Sequence, residues 1–418
     1  MTDLAIDPDF CERLFAELLS FSQDAPGVTR AAYGLGEERA HALMRATGLA
    51  LGLTAETDAA GNLFLTMAGR DLALAPWMVG SHVDTVPHGG NFDGAAGVIG
   101  GLAAVEALRR AEIVPARPVT VAVFRAEESV WFPASYVGSR AAFGLLPPKV
   151  LDLPRADTGR SLRDHMAELG LRPEAVARGE RLLDPARIYG FVEMHIEQGP
   201  ALEAAGIPVG FVTAISGSFR YRKAACFGRY GHSGAVTRSE RSDAVFALAD
   251  LITALDVLWG TLEAEGCPAT ITLGEVATDP VQHAFAKIPG EVRFCLDVRS
   301  TEPSVLDRIE AALAERIAAI EATRKVRFVL GECTGSTPAR MSAALVEALS
   351  GNARRLGMPF RTMASGAGHD AAVLAGQGVP STMIFIRNQN GSHNPDEAMR
   401  IADLCAAATL VAHLVAEA

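Results

Sequence analysis

The stretch Gly80-Ser-His-Val-Asp-Thr-Val-Pro-His-Gly-Gly-Asn-Phe-Asp93-Gly-Ala-Ala-Gly-Val98 constrains the fold more than any other part of the chain. Before it lies Pro76-Trp-Met-Val-Gly80, a short apolar run that reads as a buried strand. The strand delivers His82 and Asp84 to its exposed end, and alternation puts both side chains on one side. Pro87 and Gly89-Gly90-Asn91 supply turn chemistry. Asp93 comes next, and Gly94-Ala-Ala-Gly-Val-Ile-Gly-Gly-Leu102 opens a helix of small residues that can pack tightly. A histidine and two aspartates thus stand where a strand ends and a helix begins, the place where open α/β sheets bind ligands. This is half of a metal site, and the rest of the chain must supply the other half.

In chain order, residues 9–22 and 36–53 are helical in pattern, and Asn62-Leu-Phe-Leu-Thr-Met67 alternates like a strand. A helix over 94–110 ends in Arg109-Arg110, as the helix dipole favours. Pro118-Val-Thr-Val-Ala-Val-Phe124 is a buried strand running into Arg125-Ala-Glu-Glu128. Residues 147–187, rich in Pro, Arg and Asp with one helical segment at 161–169, read as a surface excursion. Tyr189-Gly-Phe-Val-Glu-Met-His195-Ile-Glu-Gln-Gly-Pro200 is a strand entering a turn. Strand and helix alternate, with polar clusters at strand ends, which is an α/β sheet.

The texture changes near Ile215-Ser-Gly-Ser218. Residues 219–332 read as strand (219–228), helix (240–260), strand (269–277), strand (291–299), helix (302–322), strand (326–332), the ferredoxin-like βαββαβ order. The α/β pattern then resumes with a helix over 339–356, Ser365-Gly-Ala-Gly-His-Asp370 opening another, the strand Ser381-Thr-Met-Ile-Phe-Ile386 and a helix over 401–417. The expected organisation is a catalytic domain in two parts, 1–214 and 333–418, with an inserted lid or dimerisation domain at 215–332. A chain of 418 residues is too long for one ordinary core, which agrees with two domains.

Composition narrows the function. The net charge of -11 argues against nucleic acid and anionic membranes as partners. The six cysteines are scattered with no C-x-x-C pair, which fits reduced thiols in a cytoplasmic protein rather than disulfides or a thiolate zinc site. The acidic start Met1-Thr-Asp-Leu-Ala-Ile-Asp7 lacks the features of a signal peptide. No apolar run reaches the roughly 20 residues a membrane helix needs.

Four separate strand ends carry ligand-type residues: His82/Asp84/Asp93, Glu127/Glu128, His195 and His393. Imidazoles and carboxylates without thiolates suit zinc, and also manganese, cobalt or nickel. Two adjacent metals need a shared bridge, and one carboxylate such as Asp93 can give an oxygen to each. Asp84 suits the role of fixing the His82 imidazole. Glu127 and Glu128 are adjacent, so in extended chain they point to opposite sides: one can bind metal while the other takes a proton from water. Singly each motif also fits a turn or a core histidine; their joint placement at strand ends favours the metal reading. Gly366-x-Gly368-x-x-Ala371 matches a dinucleotide fingerprint only formally, since it lacks the βαβ unit and the ribose-binding acid. His88, His165, His283 and His413 are read as structural, and Ser365 is not in a G-x-S-x-G nucleophile context.

Gly80-Ser-His-Val-Asp-Thr-Val-Pro87, Asn91-Phe-Asp-Gly-Ala-Ala-Gly-Val98, Ala126-Glu-Glu128, Met194-His-Ile-Glu-Gln-Gly-Pro200, Gly231-His-Ser-Gly234, Ser365-Gly-Ala-Gly-His-Asp370 and Gly391-Ser-His-Asn-Pro395 together resemble one family. It is the hydantoinase/carbamoylase branch of the dinuclear metallo-aminoacylases and carboxypeptidases. The resemblance implies two divalent ions per subunit, His82 and His195 on one, Glu128 and His393 on the other, and Asp93 bridging. It implies Glu127 as general base and later acid, supported by Asp84. Gln198, His232 and His369 would meet substrate, His232 also stabilising an oxyanion, and Arg299 in Leu296-Asp-Val-Arg299 would hold a substrate carboxylate through its guanidinium fork. Departures occur at Ala286-Lys-Ile-Pro-Gly290, where members carry an asparagine first, at Ala235-Val-Thr-Arg238, at Arg387-Asn-Gln-Asn390 and at Trp131-Phe-Pro133. They weaken any named substrate more than the reaction class. The expected activity is hydrolysis of a linear amide or ureido C–N bond in a small carboxylate substrate by a cytoplasmic homodimer, with an N-carbamoyl-L-amino acid foremost. Allantoate or ureidoglycolate, and N-acyl amino acids or dipeptides, are the alternatives, ahead of a non-catalytic binding protein.

Overall fold

The computed structural model describes residues 4–417 and divides into two compact units. The first runs up to Thr213 and takes in Arg340–Ser365 and the chain from His369 onward; the second is Ala214–Ala339 with Gly366–Gly368.

Four neighbouring strands of the first unit, Ser381–Ile386, Gly190–Ile196, Trp77–His82 and Val119–Phe124, run parallel. Each is buried along its whole length, as strands covered on both faces are. His82 stands level with Phe124, and His195 with Phe385, so the strands finish at a common edge. Parallel direction is what gathers residues so distant in sequence: every C-terminal end opens on the same side. The sheet is mixed, because Leu63–Met67 lies antiparallel to Val119–Phe124 and Val209–Ile215 antiparallel to Ser381–Ile386. The latter strand has no separate signal in the sequence, since its apolar run abuts the change of texture at Ile215. Helices Ala95–Arg110 and Ile401–Glu417 share the core of this unit, through Leu102, Leu108, Leu404 and Val411, with Val121, Val192 and Ile384 of the sheet.

Residues 147–187 lie mostly at the surface and also carry a small core. Short helices Leu162–Glu168 and Pro173–Ala177 close over a cluster of their own that includes Trp131, Phe132, Leu151 and Met166. The unusual Trp131-Phe132 pair is its anchor, and the indole N–H donates to Thr85 O at 2.6 Å, tying the cluster to the His82 loop.

In the second unit the strands Thr270–Thr272, Glu291–Ser300, Gly217–Phe227 and Arg327–Val329 lie side by side in that order, all antiparallel. With helices Ala244–Ala264 and Pro303–Arg324 this is the expected βαββαβ arrangement. Leu248, Leu251, Ile309 and Leu313 of the helices pack with Phe294 and Val298 of the sheet. The single strand expected at 269–277 is split into Thr270–Thr272 and Val276–Thr278: Thr272 pairs with Asp297 and Val276 with Phe294, so three residues between them oppose two on Glu291–Ser300. The unit also continues past 332 to Ala339, since Cys333–Ser336 pairs with Gly217–Phe227. Ala244–Ala264 is long and apolar enough, by length and composition, to cross a membrane, with mean hydropathy 1.7. Asp250 and Asp256 interrupt it, so a search for an unbroken apolar run passes it over.

Candidate metal centre

His82, Asp93 and His195 offer ligand atoms within 4.8 Å of one another, and so do Asp93, Glu128 and His393. Asp93 belongs to both groups. Its Oδ1 lies 3.1 Å from His195 Nε2 and 3.6 Å from His82 Nε2; its Oδ2 lies 3.3 Å from His393 Nε2. His393 Nε2 is in turn 3.1 Å from Glu128 Oε1. Glu127 stands next to this group, with Oε2 4.0 Å from His82 Nε2.

The rings are aimed by what holds their other nitrogen. His82 Nδ1 faces Asp84 O at 3.1 Å and Asp84 Oδ1 at 3.3 Å, and His195 Nδ1 faces Ile196 O at 2.9 Å. Those acceptors place the proton on Nδ1 of a neutral ring and leave the Nε2 lone pair facing Asp93. Gly94 makes room: at φ +65, a Cβ there would sit 2.4 Å from the His82 ring. Asp84 also builds the Glu127-Glu128 turn, accepting the Glu127 amide on Oδ1 and the Glu128 amide on Oδ2, both at 3.1 Å.

The charges are strongly coupled. Burial raises the Glu127 carboxyl well above the ordinary range; Glu128, Asp370 and Asp84 push it the same way, and His82 opposes them. Burial also raises Glu128, against the hydrogen bond from His393. Burial disfavours charge on His82 and His195, but the carboxylates facing them prevail and raise both. Hydrogen bonds to Asp93 and then Glu128 push His393 up to about 11. These carboxylates draw protons onto the imidazoles, which is the site's demand for positive charge. Asp93 Oδ1 is buried without a hydrogen-bond partner, a costly state for a carboxylate oxygen unless a cation meets it. The donor set and this bare oxygen fit divalent metal.

Residues given no role by the motifs frame the site. Glu37 Oε1 accepts the Ala126 amide at 2.9 Å, and its Oε2 accepts Tyr33 N–H and the Arg125 guanidinium. This buried pair holds Ala126 at φ +49, the kink that turns Glu127 and Glu128 inward. Glu193 accepts Ser81 Oγ–H at 2.8 Å and the Ala371 amide at 2.7 Å beneath the histidines. Burial pushes Asp370, bonded to Ser139 Oγ, up to about 8. Glu37 looks like an ordinary first-turn acid in the sequence, Glu193 has no spacing signature, and Asp370 closes the Ser365–Asp370 motif without a role of its own.

The residues expected to touch substrate are placed differently. Gln198, at φ +62, donates from Nε2 to Asp93 Oδ2 at 2.8 Å, and its amide donates to Asn388 Oδ1. His369 is buried edge-on against His195, ring centres 4.6 Å apart, with Nε2 3.0 Å from Ser365 Oγ. In the second unit, His232 is exposed and its Nδ1 accepts the Gly234 amide, so a neutral ring carries its proton on Nε2. The Arg299 fork is taken up by Asp297, at 3.0 and 2.8 Å, with a third bond to Gly366 O. Within Arg387-Asn-Gln-Asn390, Arg387 grips Asp403 with two 2.8 Å bonds, and Asn388 braces Gln198.

This geometry agrees with what the chain is similar to. Residues 78–417 match peptidase family M20/M25/M40. The chain is 35% identical over 410 residues to the N-carbamoyl-L-amino acid amidohydrolase of Geobacillus stearothermophilus, covering 97% of each. It is 33% identical over 391 residues to the allantoate amidohydrolase of Escherichia coli K12, covering 93% of this chain and 92% of that one. A solved hydantoinase/carbamoylase amidase of Burkholderia multivorans superposes with a TM-score of 0.87 at 29% identity, over 99% of this chain and 98% of the other. The resemblance carried by the motifs therefore holds, and the chain belongs to peptidase family M20/M25/M40, among its hydantoinase/carbamoylase amidases.

Proposed function

We propose that the protein is a binuclear metal-dependent amidohydrolase that cleaves the linear amide or ureido C–N bond of a small carboxylate substrate, an N-carbamoyl-L-amino acid foremost. The observation that carries this reading is the shared Asp93: one carboxylate lies in both ligand groups, with Glu127 beside them. His82, His195 and Asp93 would hold one ion, and Glu128, His393 and Asp93 the other. Divalent ions bound there lower the pKa of water and polarise a carbonyl. Glu127 takes the proton of the attacking water as its oxygen bonds the carbonyl carbon, and returns it to the leaving nitrogen as the C–N bond breaks. Asp84 keeps His82 and the Glu127 main chain in register for this. His232, with Nε2–H free to donate, suits an oxyanion; Arg299 would exchange Asp297 for a substrate carboxylate. The identity to N-carbamoyl-L-amino acid amidohydrolases over nearly the whole chain supports the substrate class, and that to an allantoate amidohydrolase keeps allantoate on the panel. The six free cysteines support a reducing, cytoplasmic setting, and we read the protein as a homodimer.

The deciding experiment is a hydrolysis panel of N-carbamoyl, N-acyl, dipeptide and allantoate substrates on protein stripped of metal and reloaded with zinc, manganese, cobalt or nickel. Turnover of N-carbamoyl-L-amino acids well above the other classes is expected. Faster dipeptide cleavage, or no hydrolysis at full loading, would overturn the assignment.

A further inference from the structure

Beyond the ligands and the base, one carboxylate joins the two loops on which a metal pair depends. Glu397 is buried, 7% exposed, four residues after His393. Its Oε1 accepts the amides of Phe92 at 3.0 Å and Asp93 at 3.1 Å, more than 300 residues away along the chain. Its Oε2 lies 2.6 Å from Ser392 Oγ, which is also 2.6 Å from Asp93 Oδ2. A Cβ at residue 90 would meet Glu397 Oε1 at 2.1 Å, so only glycine lets this side chain reach the main chain of the Asp93 loop. Glu397 thus grips the Asp93 backbone directly and the Asp93 carboxylate through Ser392.

We propose that Glu397, acting through Ser392, is a positioning residue that locks the Asp93 loop to the His393 loop, so that both oxygens of one carboxylate face their ions together. The proposal rests on the reading of Asp93 as the bridge. Ser392 bonds Asp93 Oδ2 alongside Gln198 Nε2, which fixes the carboxylate plane and leaves Oδ1 bare toward His82 and His195. Without the clamp, Asp93 can still bind an ion, but Gln198 alone holds its carboxylate and the two loops lose their common frame. Donor counting makes the idea specific. Ser392 has one hydroxyl proton for two carboxylate oxygens. A glutamine at 397 accepts both loop amides on Oε1 and gives Ser392 an N–H, which frees the hydroxyl to bond Asp93. Glutamine therefore preserves every link, whereas alanine loses all those made by residue 397 and leaves only Ser392 on Asp93.

The test is titration of chelator-stripped protein with zinc alone, by calorimetry with a competing chelator. Glu397→Ala is expected to weaken zinc binding ten- to hundredfold, the usual cost of losing a group that orients a ligand. Ser392→Ala, which removes one hydroxyl and should fold whatever Glu397→Ala does, is expected to weaken it about tenfold. Glu397→Gln is expected to recover most of the loss. Wild-type zinc affinity in Ser392→Ala or in folded Glu397→Ala would overturn the proposal, and so would a Glu397→Gln as damaged as Glu397→Ala. These readouts use no substrate: a protein that hydrolyses nothing yet shows this pattern loses its proposed function and keeps the clamp.

Discussion

Asp84→Asn would separate the work of a single carboxylate into parts that can be read independently. Asp84 is fully buried and serves three donors, the Glu127 amide, the Glu128 amide and His82 Nδ1. Asparagine keeps the shape but has only one acceptor oxygen. If that oxygen faces Glu127 and His82, its NH2 confronts the Glu128 amide, and a buried N–H left without an acceptor costs about 1–3 kcal/mol. Local opening of the turn should then speed up roughly five- to hundredfold. If the amide flips, the Glu128 amide is satisfied, but NH2 faces His82 Nδ1 and favours the tautomer with its proton on Nε2, the nitrogen meant for the ion. In that second orientation zinc binding at the His82 group should fall about ten- to hundredfold. Hydrogen–deuterium exchange by mass spectrometry on a peptide spanning 124–132 reads the first effect, and zinc titration the second. Exchange within twofold of wild type together with unchanged zinc affinity would refute the account of Asp84.

Glu127→Gln should bind zinc nearly as the wild type does and lose about 10²–10⁴ in kcat, as expected for removal of a general base; a kcat within fivefold would take Glu127 out of the mechanism. Zinc binding should weaken as pH falls. Without metal, His393 is held protonated up to about 11 by Asp93 and Glu128, so binding must expel a proton at neutral pH. Calorimetry in buffers of different ionisation enthalpy should show proton release, and no release would contradict this sign. Gly94→Ala forces a side chain at φ +65 to within 2.4 Å of the His82 ring; loss of one zinc equivalent from otherwise folded protein is expected, and two equivalents at full affinity would sink the steric argument. Arg387→Ala removes two bonds to Asp403 of helix Ile401–Glu417, so stability should fall by about 1–3 kcal/mol while substrate preference on the panel stays the same; a changed preference would place Arg387 in contact with substrate.

The ligand-type residues could be read in the chain because each sits at a strand end beside turn-forming residues, and strands and turns leave local signals. Glu37, Glu193 and Glu397 could not, and Asp370 stands in a motif that gives it no role. Each acts by accepting backbone or hydroxyl hydrogen bonds from segments far away in sequence, and no local pattern marks a buried acceptor. The partners of Arg387 and Asn388 were hidden for the same reason: their bonds run to Asp403 and to the Gln198 main chain. Residues 147–187 look polar enough for a surface loop, but tertiary packing turns their few apolar side chains inward around Trp131 and Phe132.

The order of strands and helices, the chemistry of the ligand set and the family are properties of the linear chain, since periodicity and motif identity need no third dimension. Only tertiary structure decided that Asp93 faces both ligand groups, that Asp84 serves three donors at once, and that Glu397 spans two loops. The reason is geometric. Parallel pairing carries four distant strand ends to one edge, and the hydrogen bonds that then aim each side chain exist only between partners the fold has already brought within about 3 Å.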